Sequence, residues 1–281
     1  MKKKRFMILI LLMIVLILIV GCTPSAPPVQ YGTIDVNSTP VGAKVYLDGV
    51  YTGQVTPIVL TNVGIGNHTI KLELFHYKNW ENNAVNVIAN ETSYLNPPLT
   101  IAPTETMTLQ PGSEGIDSAV DSFGPDVNWG NYSYCDVGNS ATTVRRTYIK
   151  FDLSSVPATA VVLDADLRLY HYAGLGTDNF TIGLYNVTST WVESEITWNI
   201  QPTCSVDEET TSYISISTTT WGNWDIDTLV QTWLDGSVTN NGVVLKDTNE
   251  ASVNSVAYFR SSDFTTDTTE RPKLEIDYYI P

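Results

Sequence analysis

Two glutamates lie between two tryptophans in the segment STWVESEITWNIQP, residues 189–202. Paired carboxylates beside aromatic rings are the equipment of glycoside hydrolysis. On one strand, Glu193 and Glu195 would be about 6.6 Å apart with both side chains on the same face. Catalysis needs carboxyl groups that approach the scissile bond from different sides. We therefore predict that the protein is not an enzyme, and that Glu193 has a structural role, accepting hydrogen bonds from turn amides or pairing with an arginine.

Histidines and cysteines offer little further chemistry. His68, His76 and His171 are scattered and lack the cysteine or carboxylate neighbours of a metal or catalytic site. Cys135 and Cys204 could form one disulfide, or they could remain two free buried thiols. The sequence also contains no serine-elbow or phosphate-loop motif.

Side chains with carboxylate or amide oxygens cluster between residues 117 and 128, which suggests a binding site for a hard cation. The candidate ligands are Asp117, Asp121, Asp126 and Asn128. Carboxylate and amide oxygens are the groups that Ca²⁺ prefers. We predict a structural Ca²⁺ at these residues, with simple solvation of surface acids as the alternative. No other cofactor is expected.

The N-terminus has the pattern of an export signal. Four basic residues precede an apolar run from Phe6 to Val20, which is shorter than the roughly 20 residues of a spanning helix. Gly21 and Cys22 end the run in a way that resembles a lipoprotein lipobox. We predict a signal peptide at 1–21, a lipidated Cys22 with a linker over 22–30, and a protein anchored outside the cell membrane. An uncleaved signal anchor is the alternative.

The charge balance excludes one class of partner. The chain has 15 Lys and Arg against 30 Asp and Glu, a net charge of -15. Without the four basic residues of the signal, 11 basic residues face 30 acidic ones, and the net charge becomes -19. Nucleic acid binding requires a basic footprint, so we expect no nucleic acid partner.

The remainder predicts an all-β protein, because short alternating runs are bounded by Gly, Pro, Asn and Asp. In residues 31–100, Ile34 alternates with Val36 and Val45 with Leu47, and Asp48-Gly49 makes a hairpin turn. This block resembles the PEGA domain, whose four-letter motif here reads PVGA at residues 40–43, with valine in place of the motif's glutamate. The resemblance implies a small extracytoplasmic β-sandwich that acts as a spacer or binding module.

Residues 101–281 predict a second, larger sandwich. In VRRTYIKFDLSSVP and VVLDADLRLYHY, one face of each strand is apolar and the other polar. One short helix is expected in WDIDTLVQTWLDG, where apolar residues recur at helical spacing from Ile226 to Leu234.

Five motifs in order identify this second block. They read R-x-Y-I-K-F-D-L-S-x-V-P, L-x-A-x-L-x-L-Y, W-x-E-x-x-I-T-W-N-x-x-P, W-D-I-D-T-L-V-Q-x-W-L-D-G and P-x-L-E-I-D-Y. Together they resemble the DNRLRE domain, the disaggregatase-related repeat of methanogenic archaea, which is similar to carbohydrate-binding modules with a jelly-roll fold. The resemblance implies a jelly roll that binds polysaccharide without catalysis.

The polar faces of two strands supply the predicted ligand site. The residues are Arg146, Tyr148, Lys150, Arg168 and Tyr170, which share one surface if the two strands are neighbours. Arginine forks bind carboxylate or sulfate, so we predict an anionic envelope or matrix polysaccharide as the partner. Alternatively, these basic residues pair with Asp152, Asp164 and Asp166.

The alternative function is a non-catalytic envelope scaffold or adhesion protein that contacts other surface proteins. A polysaccharide lyase or hydrolase is the least favoured reading of the sequence.

Overall fold

A computed structural model describes residues 29–281 except residues 141, 177, 178, 252 and 253. The predicted signal peptide and the predicted lipidation site Cys22 lie outside the described residues. Within that described part, no helix combines the length and apolar character needed to cross a membrane.

The chain folds into two units. The first comprises residues 29–74 and Asn79–Leu99, and the second comprises Phe75–Lys78 and Thr100–Pro281. Both consist of strands, which confirms the predicted all-β fold class.

The first unit is a small sandwich of two sheets. Its strands are β1 Tyr31–Val36, β2 Lys44–Leu47, β3 Val50–Val55, β4 Ile58–Gly64, β5 Gly66–Glu73, β6 Trp80–Val87 and β7 Thr92–Leu95. One sheet has the order β4-β1-β7 and the other β3-β2-β5-β6. The alternating apolar residues Ile34, Val36, Val45, Ile70 and Leu72 are fully buried between them. Apolar alternation therefore places the core of this unit where the sequence predicts it.

The second unit contains eleven strands, one helix and one short 3-10 turn. The elements are β8 Glu105–Leu109, β9 Ile116–Asp121, β10 Tyr134–Ser140, β11 Thr143–Lys150, β12 Val161–Gly176, β13 Phe180–Asn186, β14 Thr210–Ile214, β15 Thr220–Asp225, α1 Asp227–Leu234, β16 Val243–Asp247, β17 Ser255–Arg260, the 3-10 turn Thr268–Glu270 and β18 Lys273–Tyr279. The hydrogen-bonded path is β14-β13-β16-β11-β10-β17-β12-β18-β8, with β9 beside β11 and β15 beside β12.

Two strands with three partners each make this sheet curl. The long strand β12 pairs with β18 over its first half, with β17 over its second half, and with β15 on its other side. β11 pairs in the same way with β9, β10 and β16. The curled sheet encloses a core that includes Ile149, Leu167, Leu169, Leu245 and Phe259. The result is the predicted sandwich-like all-β architecture.

The predicted helix is present as α1. Leu229 and Val230 are buried in the core of the second unit, and Trp233 and Leu234 pack against it. The apolar stripe therefore has the packing role that its spacing indicates.

Candidate functional site

The five predicted ligand residues do not share one surface. Arg146, Tyr148 and Lys150 lie on β11, whereas Arg168 and Tyr170 lie on β12. Two strands, β10 and β17, separate β11 from β12 in the sheet. The expectation that the two strands are neighbours is therefore wrong. An earlier strand, β10, and a later strand, β17, lie between them in the sheet.

Arg146 and Tyr148 lie beneath a covering segment, defined as residues 187–205. The guanidinium of Arg146 donates from Nε and Nη2 to the two oxygens of Glu250, at 2.7 Å each, and lies 4.8 Å from the ring of Trp198. Tyr148 is 2% exposed, and its hydroxyl donates to Gln201 at 3.0 Å. Both side chains hold the covering segment on the sheet, and both are engaged within the protein.

Arg168 and Tyr170 lie on the outer side of β12. Arg168 donates to Glu275 at 2.6 Å, and Lys273 contacts the same carboxylate at 2.8 Å. Tyr170 packs edge-on against Trp221, with ring centroids 5.3 Å apart. The alternative of internal pairing with acids holds for Arg146 and Arg168, although the partners are Glu250 and Glu275 instead of the three predicted aspartates.

The glutamates of the opening segment lie in a turn and not on a strand. Glu193 Oε1 accepts the backbone N–H of Asp117 at 2.9 Å, which ties the covering segment to β9. Burial raises the pKa of the Glu193 carboxyl, and the hydrogen bond from Asp117 opposes that rise. Glu195 is exposed. Glu193 therefore has a structural role as predicted, although the amide that donates to it belongs to strand β9 and not to a turn.

The four predicted calcium ligands have separate partners. Asp117 is 2% exposed and accepts the backbone N–H of Ser262 at 2.9 Å. Asp121 contacts an arginine, Asp126 accepts from an asparagine amide, and Asn128 donates to two backbone carbonyls. Among the described residues, no group of three or more His, Cys, Asp or Glu side chains is arranged to hold a metal ion. The donor set therefore does not fit the predicted Ca²⁺ site.

The disulfide alternative is wrong, because both cysteines are free. Cys135 is buried on β10, where its thiol contacts Asp117 at 3.5 Å. Cys204 lies in the covering segment, 3.6 Å from the Lys246 ammonium.

The strongest candidate site is a cleft in the second unit, which we call the aromatic cleft. It has a volume of about 200 Å³ and is lined by Ala119, Asp121, Trp129, Tyr132, Tyr134, Asp136, Arg145 and Tyr258. Strands β9, β10, β11 and β17 supply six of these residues, and the loop after β9 supplies Trp129 and Tyr132. The rigid sheet therefore positions most of the lining.

A charged cluster forms one side of the aromatic cleft. Arg145 Nε lies 3.0 Å from Asp136 and 3.3 Å from Asp121. Burial raises the pKa of Asp136 to about 7; the Arg145 guanidinium opposes this rise, and the Asp121 carboxylate adds to it. Arg145 Nη1 is buried without a hydrogen-bond partner among the described residues. A buried donor of this kind favours a ligand oxygen that completes its hydrogen bonding.

Aromatic rings form the rest of the aromatic cleft. The Trp129 and Tyr132 ring centroids are 4.8 Å apart, and Tyr134 lies 5.9 Å from both Tyr132 and Tyr258. Trp129 Nε1 is the second donor of the aromatic cleft that is buried without a partner among the described residues. Burial raises the pKa of the Tyr134 and Tyr258 hydroxyls, so both remain protonated donors at neutral pH. Rings beside unpartnered donors suit a ligand with apolar faces and hydroxyl groups.

The sequence contained a signal for the aromatic cleft. Tyr132, Tyr134 and Asp136 alternate along NYSYCDV, a pattern that predicts one side of a strand, and β10 contains Tyr134 and Asp136. Arg145 is on the opposite side of β11 from Arg146, so the face predicted from Arg146 does not include Arg145.

Comparison with known proteins gives two matches. Residues 107–278 match the model of carbohydrate-binding module family 96, and residues 31–112 match the model of the PEGA domain. Both predicted resemblances, a PEGA domain followed by a carbohydrate-binding-module-like domain, are thereby confirmed, while the DNRLRE name stays a prediction. No curated protein matches the chain significantly.

Proposed function

Because the chain belongs to carbohydrate-binding module family 96, we propose that it binds an envelope or matrix polysaccharide through the aromatic cleft, without catalysis. One observation carries this proposal: two buried donors that have no partner among the described residues, Arg145 Nη1 and Trp129 Nε1, belong to side chains that line one aromatic cleft. Sugar C–H faces stack on such rings, and sugar oxygens can accept from such donors.

We further propose that the polysaccharide is anionic. The arginine in the aromatic cleft is half-buried, with 17% of its side chain exposed, so its charge is only partly screened by water. A guanidinium donates charge-assisted hydrogen bonds to carboxylate or sulfate, and Arg145 Nη1 has no partner among the described residues. Uronic acid polymers and sulfated polymers are the ligand classes that this chemistry selects.

The cellular setting follows from the N-terminal sequence. A signal peptide at residues 1–21, cleaved before a lipidated Cys22, would anchor the protein at the outer surface of the membrane. The PEGA domain would then separate the carbohydrate-binding unit from the membrane. Labelling with a radioactive fatty acid, compared with a Cys22→Ala variant, tests this anchor.

The second candidate is a scaffold or adhesion protein, and the first unit favours it. Strand β3 is the edge of its sheet, and Val50, Tyr51 and Val55 are 69%, 45% and 47% exposed. Edge strands with exposed apolar side chains are pairing surfaces for other chains.

Affinity electrophoresis of residues 29–281 in gels that contain a polyuronate, a sulfated polymer or a neutral glucan tests the proposal. We expect retardation by an anionic polymer and about a tenfold loss of affinity in Arg145→Gln and in Trp129→Phe, which keeps an aromatic ring but removes the indole N–H and the second ring. Arg168→Gln should bind as the wild type, because Arg168 is not among the residues that line the aromatic cleft.

Three results would contradict the proposal. If no polymer retards the protein, the scaffold function is favoured. If Arg168→Gln alone loses binding, the site predicted from the sequence is restored. If shortened products are released, the protein is an enzyme.

A further inference from the structure

His68 lies between two hydrogen-bond acceptors in the first unit. Its Nδ1 is 2.7 Å from the Asp48 carboxylate, and its Nε2 is 2.9 Å from the backbone oxygen of Gly64. Neither acceptor has a proton to donate when Asp48 is ionised. Because only the imidazolium carries an N–H on both ring nitrogens, the protonated ring is the form that satisfies both contacts. We call these three residues the His68 bridge.

Asp48 belongs to the turn that leads into the edge strand β3. Asp48 and Gly49 form the two-residue turn between β2 and β3, and both have a positive φ, of +50° and +80°. The Asp48 N–H donates to the Thr69 oxygen, and the Thr69 N–H donates to the Asp48 carboxylate, each at 2.9 Å. These two bonds extend the pairing of β2 with β5 into the turn. The carboxylate that contacts His68 therefore also holds the turn in place.

His68 connects this turn with the other sheet of the sandwich. His68 is near the start of β5, on the same inner face as the buried residues Ile70 and Leu72. Gly64 is the last residue of β4, which belongs to the sheet β4-β1-β7, whereas β2, β3 and β5 belong to the second sheet. The protonated ring therefore contacts the turn of one sheet and a strand end of the other.

Asp48 is the charged group that acts on the His68 ring. The hydrogen bond to Asp48 raises the pKa of His68 above its ordinary value of 6.5, and burial opposes this rise. Hydrogen bonds from the Thr69 amide and from His68 lower the pKa of Asp48. Opposite His68 on β6 is Val85, which has no charge. The other charged residues of the strands lie on the outer faces of the sheets, and they are Asp35, Lys44, Lys71, Glu73 and Glu81.

We propose that the His68 bridge is a pH-dependent device that fixes the turn before edge strand β3. The imidazolium holds Asp48 and Gly64 at the same time. Loss of its proton leaves one ring nitrogen with a lone pair against an oxygen, so one of the two contacts breaks. This inference goes beyond the proposed polysaccharide binding, since the bridge lies in the first unit and the aromatic cleft in the second.

The His68 bridge stabilises the turn on the acidic side of its titration. Because the folded-state pKa of His68 is raised, the stabilisation is complete below about 6.5 and is lost as the pH rises through the raised pKa. The side chain of Asp48 is 51% exposed, so water screens the pair and the effect is local to the turn. The exposed residues Val50, Tyr51 and Val55 of β3 follow this turn. The order of the candidate pairing edge therefore depends on pH.

Nuclear magnetic resonance of the histidine rings of residues 29–281 over a series of pH values tests the protonation of the bridge. We expect the midpoint of the His68 titration to lie above 6.5 in the wild type and to fall in Asp48→Asn. Asparagine tolerates a positive φ in a two-residue turn, so this variant keeps the turn and removes the charge. Glu91→Gln removes an exposed carboxylate from the same unit and is the charge-matched control.

Hydrogen exchange of the Thr69 amide, which donates to Asp48, measures the turn itself. In the wild type, its protection factor, corrected for the intrinsic exchange rate, should be about threefold or more higher at about pH 6 than at about pH 8.5. In His68→Gln, whose side chain does not titrate, the two protection factors should be equal. Glu91→Gln should show the wild-type difference.

Two results would overturn the His68 bridge as a pH-dependent device. The first is an equal titration midpoint of His68 in the wild type and in Asp48→Asn. The second is equal protection of the Thr69 amide at both pH values in the wild type. Neither result bears on polysaccharide binding by the second unit, and a failure of that binding leaves the His68 bridge unchanged.

Discussion

At the scale of single residues, the direction of a side chain decides its role. Arg145 and Arg146 are adjacent in sequence, yet Arg145 lines the aromatic cleft and Arg146 is bound by Glu250 under the covering segment. Adjacent strand residues point to opposite faces. The same alternation places Tyr134 and Asp136 together at the aromatic cleft while Cys135 between them is buried beside Asp117.

The two glutamates of the opening segment show a related difference. Glu193 stabilises the covering segment through the amide of Asp117, and Glu195 is exposed beside it. A catalytic pair requires two carboxyl groups that face one bond. Here the Glu193 carboxyl accepts a hydrogen bond from the backbone of β9. The two glutamates are therefore close in sequence but do not face a common bond.

Asp136 should make stability depend on pH. Burial raises its pKa from 3.8 to about 7, so the folded state binds this proton more tightly than the unfolded state. The stabilisation is complete below about pH 4 and is lost as the pH rises through about 7. We expect the contribution of Asp136 to the free energy of unfolding to fall over that pH range. In Asp136→Asn, the free energy of unfolding should lack this part of its pH dependence.

Urea unfolding of both proteins at about pH 5 and about pH 7.5 measures this effect. Asp152→Asn is the control, because Asp152 is exposed and hydrogen bonds from Ser154 lower its pKa. Equal slopes for the wild type and Asp136→Asn would contradict the expectation.

At the scale of elements, β10 connects the halves of the site. It pairs with β11 on one side and with β17 on the other, and both pairings meet at Gly138. Gly138 has φ of +131°, and a Cβ at this position would collide with the backbone oxygen of Ser255. The close approach of two strands here requires glycine.

Gly138→Ala should therefore destabilise the protein by about 3 kcal/mol or more, since backbone strain and a backbone collision add. Gly236→Ala is the matched control. Gly236 also has a positive φ, of +76°, but no atom lies within 4 Å of the position of its added Cβ. We expect Gly236→Ala to cost about 1 kcal/mol, as measured by thermal unfolding. Similar losses for both variants would show that the approach of the strands does not matter.

At the scale of the whole molecule, the acidic charge shapes recognition of an anionic ligand. The formal net charge of -15 repels a polyanion at long range. Binding must then come from short-range contacts at cations in partly buried positions, such as Arg145. Such contacts are screened by salt much less than long-range repulsion is.

We expect salt to have little effect on binding of a polyuronate. Between about 20 and about 200 mM NaCl the dissociation constant should stay the same or fall by less than about threefold, because salt screens the long-range repulsion more than the short-range contacts. Titrations of the same polymer at the two salt concentrations measure this, with a neutral glucan as the comparison. A steep loss of affinity with salt, as basic proteins show with nucleic acid, would mean that a wider cationic surface binds the ligand.

The sequence by itself determined the all-β class, the helix from its apolar stripe and the structural role of Glu193. Those features depend on local periodicity and on motifs whose residues are close along the chain. Only the tertiary structure decided the site. Arg145 and Tyr258 are far apart in sequence and meet because β10 lies between β11 and β17, an order that residue patterns do not encode. Arg146 and Arg168 likewise pair with glutamates that are distant in sequence, and this pairing depends on the order of the strands in the sheet. Their positive charge alone therefore did not identify a ligand site.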